Sequence, residues 1–205
     1  MIPLEKRFTG LLIALGLISG VAHAASEIDT AKLSESQVEI LDLSKPGAAG
    51  KTYLAGTIIA TPMPKLCALI QRYVDYPSFM PNTDKAQIVA SEAGATLVDM
   101  KLKLPLGKSK QYRLRMTPQT SAKSCRLGWK LVPRPDLSQD ETIADTTGYW
   151  LLEPSEADAG KTVVRYHVYS DPGPVPMGLG WIVDALGKDS LPKTLESLRA
   201  KAQAR

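Results

Sequence analysis

The chain has 205 residues, of which 44% are hydrophobic and 22% are charged. Its formal net charge is only +4, because 25 lysines and arginines are offset by 21 acidic residues. The basic residues are interleaved with acids, so the chain lacks the basic stripe with stacking aromatics that is typical of nucleic-acid-binding proteins. A mildly basic, solvated surface is expected, and transient attraction to the anionic headgroups of a membrane surface is the alternative reading of the charge.

The first 24 residues have the pattern of a secretory signal peptide. Lys6 and Arg7 precede an apolar run over 8–21, and residues 22–24 (AHA) supply a small-x-small cleavage site. The apolar run is shorter than the roughly 20 residues of a membrane span, which makes a membrane anchor the weaker interpretation. No cysteine stands at the cleavage site. We therefore expect a soluble mature protein that begins near Ala25 and is periplasmic or secreted.

The mature chain fits one domain over 25–205, large enough to bury a core without covalent support. Its first residues, 25–36, are polar and are expected to form a loose or helical lead-in. Cys67 and Cys125 both lie in this mature part, and an oxidising compartment permits a disulfide between them. The sequence leaves open whether they form one or remain separate buried thiols, because the approach of their Cβ atoms cannot be inferred from it.

The first half of the mature chain predicts two strands and a helix. The strands are expected at 37–43 and 51–60, on either side of the turn-rich segment SKPGAAG. A helix should follow from about residue 61 and end near Pro77 and Pro81. Its apolar face has the spacing i, i+3, i+4, i+7 and is formed by Leu66, Leu69, Ile70 and Tyr73.

Six further strands are predicted, and the alternation of apolar and polar side chains is clearest in 95–104, 108–117 and 122–132. They are expected at 84–91, 95–104, 108–117, 122–132, 146–153 and 161–170. This period of two indicates an antiparallel sheet with one solvated face. The segment PRPDLSQDETIAD (133–145) interrupts the series, and polar connections of this length are often functional.

A C-terminal helix is predicted from about Gly180 to Ala202, and Pro192 should kink it or mark its restart. Its apolar face is formed by Leu191, Leu195, Leu198 and Ala202. Such a helix can cover the apolar face of a bent sheet, which predicts an α+β fold. The segment DPGPVPMGLGW (171–181) is then a stiff corner between sheet and helix, and any gating motion belongs to 133–145 and the helix behind it.

Motifs for metal and phosphate chemistry are absent or incomplete. The mature chain has one histidine, His167, and two widely separated cysteines, so a His/Cys metal site is not expected. The tetrapeptide AGKT occurs at 49–52 and at 159–162, but both copies lack the first glycine of a phosphate-binding loop and lead into a strand instead of a helix. We interpret both as hairpin turns and expect no cofactor.

The orientation of strand 161–170 is the open question about His167. Val164, Tyr166 and Val168 form its more apolar face and are expected to face the core, which leaves Arg165 and His167 exposed. The reverse orientation would place Arg165 and His167 in the concavity of the sheet, where they could bind or protonate a polar ligand group.

Three segments resemble the START lipid-transfer-related family of the polyketide-cyclase/START-like superfamily, in particular its small secreted bacterial members. They are YVDYPSFMPNTDKAQIV (73–89), GYWLLEPSEADAGKTVVRYHVYSDPGPVPMGLGW (148–181) and KDSLPKTLESLR (188–199). The resemblance covers about residues 50–200 and includes no catalytic motif. Where the family usually has Pro-Gly-Gly at the corner, this chain has Pro-Gly-Pro at 172–174, which should stiffen it. No charge pair diagnostic of a particular lipid is present.

The resemblance implies a helix-grip fold: a curved antiparallel sheet around a long C-terminal helix, with a hydrophobic tunnel between them that binds lipids, sterols or other apolar molecules. It places 133–145 where such folds have a gating loop. The residues expected to line the tunnel are Met100, Leu102, Tyr112, Leu114, Met116, Leu127, Trp129, Trp150, Arg165, His167, Trp181, Leu186 and Leu191. The alternative is that the apolar ones among them fill a solid core.

Three functions follow from these patterns. The first is a monomeric periplasmic carrier or sensor of a lipid or sterol-like ligand. The second is a cyclase/aromatase- or hydrolase-type enzyme, for which the general acid or base would be His167, Arg165 or Tyr112. The third is an interaction module of the cell envelope, which would need an exposed apolar patch on the C-terminal helix.

Overall fold

The computed structural model describes residues 28–174 and 187–204. Within these ranges, eight antiparallel strands form one curved sheet in the order β1-β2-β8-β7-β6-β5-β4-β3. The strands are β1 (Glu39–Asp42), β2 (Lys51–Ile59), β3 (Thr83–Glu92), β4 (Ala95–Lys103), β5 (Ser109–Thr120), β6 (Cys125–Val132), β7 (Asp145–Pro154) and β8 (Thr162–Asp171). The helices are α1 (Met63–Ile70) and α2 (Ser190–Gln203), and 3-10 turns occur at Thr30–Lys32, Tyr73–Ser78 and Pro105–Gly107. None of the helices in these ranges is long and apolar enough to cross a membrane.

All eight predicted strands are present, with ends that differ from the prediction by up to three residues. The alternation that predicted them divides each strand between two faces. In β5, Tyr112, Leu114 and Met116 are buried on the concave face, whereas Arg113 and Arg115 on the convex face form ion pairs with acidic side chains. The predicted α+β architecture, a curved antiparallel sheet with a C-terminal helix, is therefore confirmed.

α1 is shorter than predicted, whereas α2 begins close to Pro192, where the sequence allowed a restart of the helix. α1 ends at Ile70, and the chain continues as the 3-10 turn Tyr73–Ser78, which contains Pro77. α2 begins at Ser190 after a turn at 187–189, so Pro192 lies in its first turn, where no intrahelical N–H donor is needed, and does not kink it. The predicted helical part before residue 187 lies outside the described residues, as do residues 175–181 of the predicted corner.

The beginning of the corner is a tight bend. Gly173 has a φ of +77°, and its N–H donates to Asp171 Oδ1 at 2.9 Å. A side chain at this φ would be strained, so the glycine permits the turn that takes the chain off β8.

Residues 28–36 are packed against the sheet, so the expectation of a loose segment is wrong for them. Leu33 and Ile28 are buried, and a Cβ on Gly56 of β2 would lie 3.0 Å from Leu33 Cδ2. These two apolar side chains pack with Leu54 on the convex side of β2. The polar composition of the segment did not indicate this packing.

A disulfide joins α1 to the sheet. Cys67 of α1 and Cys125 of β6 are bonded, with an S–S distance of 2.12 Å and a Cα–Cα distance of 5.9 Å. Both residues are buried, and α1 contacts β6, β7 and α2. The question that the sequence left open is answered by this pairing, which holds α1 over one half of the concave face.

We expect the disulfide to stabilise the fold substantially. It spans 58 residues, and closing a loop of that length lowers the entropy of the unfolded chain by an amount worth about 4 kcal/mol. The double variant Cys67→Ala/Cys125→Ala should lose about this much free energy of unfolding in a urea titration, and adding reductant should affect only the parent protein. Equal stabilities of parent and variant would contradict this expectation.

Candidate functional site

A cavity of about 520 Å³ lies between the concave face of the sheet and the first turns of α2. Its walls come from strands β2 to β8, from Tyr76 and the segment after it, from the turn between β4 and β5, from the connection between β6 and β7, and from the corner after β8. The described side chains deep in it are mainly apolar or aromatic, while lysines, serines and threonines lie around it. The apolar and aromatic lining residues are Tyr53, Tyr76, Met80, Met100, Leu102, Leu104, Tyr112, Leu114, Met116, Trp129, Ile143, Trp150, Tyr166, Val168 and Leu191.

Most of the predicted lining residues are brought together at this cavity. They are Met100, Leu102, Tyr112, Leu114, Met116, Trp129, Trp150 and Leu191. Leu127 is not among them: it is fully buried in the solid core on β6, the strand against which α1 packs. Trp181 and Leu186 lie outside the described residues. Whether the lining residues contact a ligand stays a prediction.

Strand β8 has the orientation expected from its more apolar face, so the inclusion of Arg165 and His167 among the lining residues is wrong. In the register of the sheet, Tyr166 lies opposite Trp150 and Ala55, so the even-numbered residues of β8 face the cavity and the odd-numbered ones face the convex side. There the His167 ring stacks on Tyr149, with centroids 5.0 Å apart. Arg165 Nη2 pairs with Glu153 Oε2 at 2.9 Å. The more apolar face of the strand turns inward because the concave side is the buried one.

Three aromatic rings form part of the floor of the cavity. Tyr166 lies between two indoles, with ring centroids 5.4 Å from Trp129 and 4.2 Å from Trp150. Trp129 can lie flat on the sheet because its cross-strand neighbour is Gly148, where a Cβ would come within 2.4 Å of the indole Cζ2. The aromatic floor therefore depends on the absence of a side chain at position 148.

Lys110 links three segments by hydrogen bonds at one end of the cavity. Its Nζ donates to the carbonyl oxygens of Thr142 at 2.6 Å, Pro172 at 2.7 Å and Gln139 at 3.4 Å. These acceptors belong to the 133–145 connection and to the corner after β8, so one ammonium joins both segments to β5. Burial lowers the pKa of Lys110 from its usual value. The sequence contains a signal for this role, because residue 110 has the same strand parity as Tyr112 and therefore points inward.

The 133–145 connection is attached to the sheet by an ion pair and by hydrogen bonds at several points. Arg134 Nη1 pairs with Asp99 Oδ2 of β4 at 3.2 Å. Farther along, Gln111 N–H donates to Glu141 O at 2.7 Å and Ala144 N–H donates to Asp171 O at 3.0 Å. Two residues of the connection, Asp140 and Ile143, line the cavity, and Ile143 is buried. The connection is thus a wall of the site.

Several solved structures share this architecture. A STAR-related lipid transfer protein from Xanthomonas axonopodis (fragment 25-204) has a TM-score of 0.68 and 14% identity, covering 82% of this chain and 94% of its own. The ZhuI aromatase/cyclase from Streptomyces sp. R1128 has a TM-score of 0.57 and 12% identity, covering 82% and 94%. Human StAR-related lipid transfer protein 5 has a TM-score of 0.64 and 12% identity, covering 80% and 81%.

At such identities the likeness establishes the fold alone: the chain has the helix-grip fold of START proteins. Its structural neighbours include both lipid-transfer proteins and an aromatase/cyclase, so the fold does not choose between binding and catalysis. No family model matches the sequence, and no curated protein matches it.

The position of His167 predicts a loss of stability in mild acid. Burial, and to a smaller extent Arg126, lower the pKa of His167 from its usual 6.5. Because the unfolded chain binds the proton more readily than the folded one, stability should be complete above pH 6.5 and fall as the pH passes down through the lowered pKa. His167→Gln should flatten the decline in urea midpoint between about pH 7 and about pH 5.

The carboxylates with a lowered pKa titrate below this window, Asp136 at about 2. An identical pH dependence in the parent protein and in the His167→Gln variant would contradict the assignment.

Proposed function

We propose that this protein binds a hydrophobic small molecule, a lipid or a sterol-like compound, in the cavity and acts as a periplasmic carrier or sensor. The observation that supports this proposal best is the cavity of about 520 Å³ enclosed by apolar and aromatic side chains of the sheet and α2. A pocket of this size and character is typical of small-molecule sites. It also argues against the reading in which these side chains fill a solid core.

Burial of apolar ligand surface supplies enough free energy for such binding. Removing ~250 Å² of ligand surface from water contributes about 6 kcal/mol at ~25 cal/mol per Å². Part of this offsets the loss of translational and rotational freedom. The contacts needed are therefore non-directional, and they require no catalytic group.

The enzymatic alternative has less support from the site. Arg165 and His167, two of its three candidate acid–base groups, are on the convex face. The third, Tyr112, does line the cavity, but burial raises the pKa of its phenol well above the usual value. A phenol that holds its proton so strongly is a poor general base at neutral pH.

We propose that the 133–145 connection and α2 control access to the cavity. Asp140 and Ile143 come from the connection, and Ser190, Leu191 and Thr194 come from α2, so both elements contribute to the lining. Lys110 holds the connection to β5 and to the corner together with two backbone hydrogen bonds, Gln111 N–H to Glu141 O and Ala144 N–H to Asp171 O, so opening of the site has to break these links as well. Transient contact of the mildly basic surface with a membrane would bring this end to the source of a lipid, and the carrier is proposed to act as a monomer.

A larger side chain that fills part of the cavity should weaken the binding of an apolar ligand. Val168 lines it, whereas its neighbour His167 is on the opposite face of β8. Val168→Trp should weaken binding of the neutral fluorescent probe N-phenyl-1-naphthylamine by about tenfold or more, equivalent to at least ~1.4 kcal/mol. His167→Ala is the matched control and should bind as the parent does. Equal affinity in all three proteins would place the probe elsewhere and contradict the proposal.

The proposed location requires removal of the first 24 residues. N-terminal sequencing of the protein recovered from an osmotic-shock fraction of its own cells should begin at Ala25, because residues 22–24 fit the small-x-small specificity of signal peptidase. Replacing Ala24 with Phe should leave an uncleaved, membrane-associated precursor. Recovery of a full-length chain in the cytosolic fraction would contradict export.

A further inference from the structure

Two phenol groups at the cavity lack hydrogen-bond partners. Tyr112 and Tyr166 are each 8% exposed, and both line the cavity. Neither phenol oxygen forms a hydrogen bond with any part of the chain that the structure describes. A third tyrosine of the same wall, Tyr76, is different: its Oη donates to Ile70 O at 2.6 Å. Of these three phenols, one is therefore paired, and two are unpaired among the described residues.

The two unpaired oxygens are open to the cavity. In the described ranges, the side-chain atoms that are both unpaired and sealed from solvent are Arg165 Nε, His167 Nδ1 and Arg199 Nε. The phenol oxygens are unpaired but not sealed, so the space that reaches them is the cavity they line. An unpaired polar group inside an apolar site costs free energy until a ligand or a water pairs with it.

Packing fixes at least one of these groups in place. The Tyr166 ring is held between Trp129 and Trp150, at centroid distances of 5.4 and 4.2 Å, and cannot turn away from the cavity without breaking both contacts. Tyr112 is on β5, opposite Met100 of β4, which also lines the cavity. Tyr112 contributes to raising the pKa of Tyr166, which indicates that the two phenols lie within electrostatic reach of each other.

The chemistry around the two phenols suits a neutral group. Burial keeps both phenols protonated, so each can donate one hydrogen bond and accept another. The buried ammonium that lines the cavity, that of Lys110, has its three N–H groups directed at three carbonyl oxygens. Lys51 and Lys108 also line the cavity but are exposed. A carboxylate or phosphate beside the phenols would lose its hydration, and the described residues offer no free buried cation to pair with it. Binding of a charged group there would therefore cost free energy.

We propose that Tyr112 and Tyr166 form a hydrogen-bonding subsite for a neutral oxygen, a hydroxyl or a ketone, on an otherwise apolar ligand. The inference rests on the proposed function and narrows its ligand class to neutral, singly oxygenated apolar molecules. A hydroxyl can accept from one phenol and donate to the other, and a ketone can accept from both. In either case the bound oxygen recovers hydrogen bonds that it loses on leaving water.

The test uses two isosteric neutral probes, 2-naphthol and 2-methylnaphthalene, and isothermal titration calorimetry. In Tyr112→Phe/Tyr166→Phe, the affinity for 2-naphthol should fall about tenfold, while that for 2-methylnaphthalene should change less than about twofold, since only the first probe hydrogen-bonds. The single variants should each show part of the loss and serve if the double variant does not fold. Tyr149→Phe is the matched control: Tyr149 stacks on His167 on the convex face, away from the cavity, so the preference between the probes should stay as in the parent.

Thermal unfolding distinguishes the subsite from a structural role. Tyr112→Phe and Tyr166→Phe should keep or raise the melting temperature of the free protein because no hydrogen bond is lost, whereas Tyr76→Phe should lower it. Binding of both probes with no change of preference in Tyr112→Phe and Tyr166→Phe, or the same change in Tyr149→Phe, would overturn the subsite and leave the proposed function standing. Failure of the parent to bind either probe would overturn both.

Discussion

The structure depends on the burial of one apolar surface, the concave face of its curved sheet. Alternation along eight strands makes this face apolar, and the chain must keep water from it. α1 covers it near β6 and β7, where the Cys67–Cys125 disulfide holds the helix, and α2 packs near β2 and against α1. The cavity extends across the face from β2 and β8 to β4 and β5, where α1 does not pack, so it results from how the two helices are distributed.

The same alternation separates the groups that could act on a ligand from those that only shape the surface. In β8, Val168 lines the cavity, whereas its neighbour His167 stacks on an aromatic ring on the convex side. Among the described residues, the buried polar side chains on the cavity side are phenols, two threonines whose hydroxyls donate to backbone carbonyls, and a lysine committed to backbone carbonyls. Such a site is suited to binding an apolar molecule by shape and by one or two hydrogen bonds.

Alternation and turn signals were sufficient to predict all eight strands and about half of the apolar and aromatic side chains that line the cavity, because in a sheet with one buried face the parity of a residue fixes its side. Parity alone could not separate cavity from solid core, as Leu127 illustrates: which inward residues are covered depends on where α1 lies. The inward direction of Lys110 was available from its parity, but its partners come from 29 to 62 residues away. The packing of Ile28 and Leu33 against the sheet could not be predicted, because two apolar residues among polar ones form no periodic pattern.

Native mass spectrometry of the mature protein, purified from its own periplasm and followed by solvent extraction, tests the central claim most directly. The account predicts a discrete added mass that extracts as a neutral, singly oxygenated apolar molecule and is lost in Val168→Trp. An added mass that persists in Val168→Trp, or a protein that is ligand-free as isolated and also fails to take up lipid or sterol extracts of those cells, would contradict a hydrophobic carrier built around this cavity.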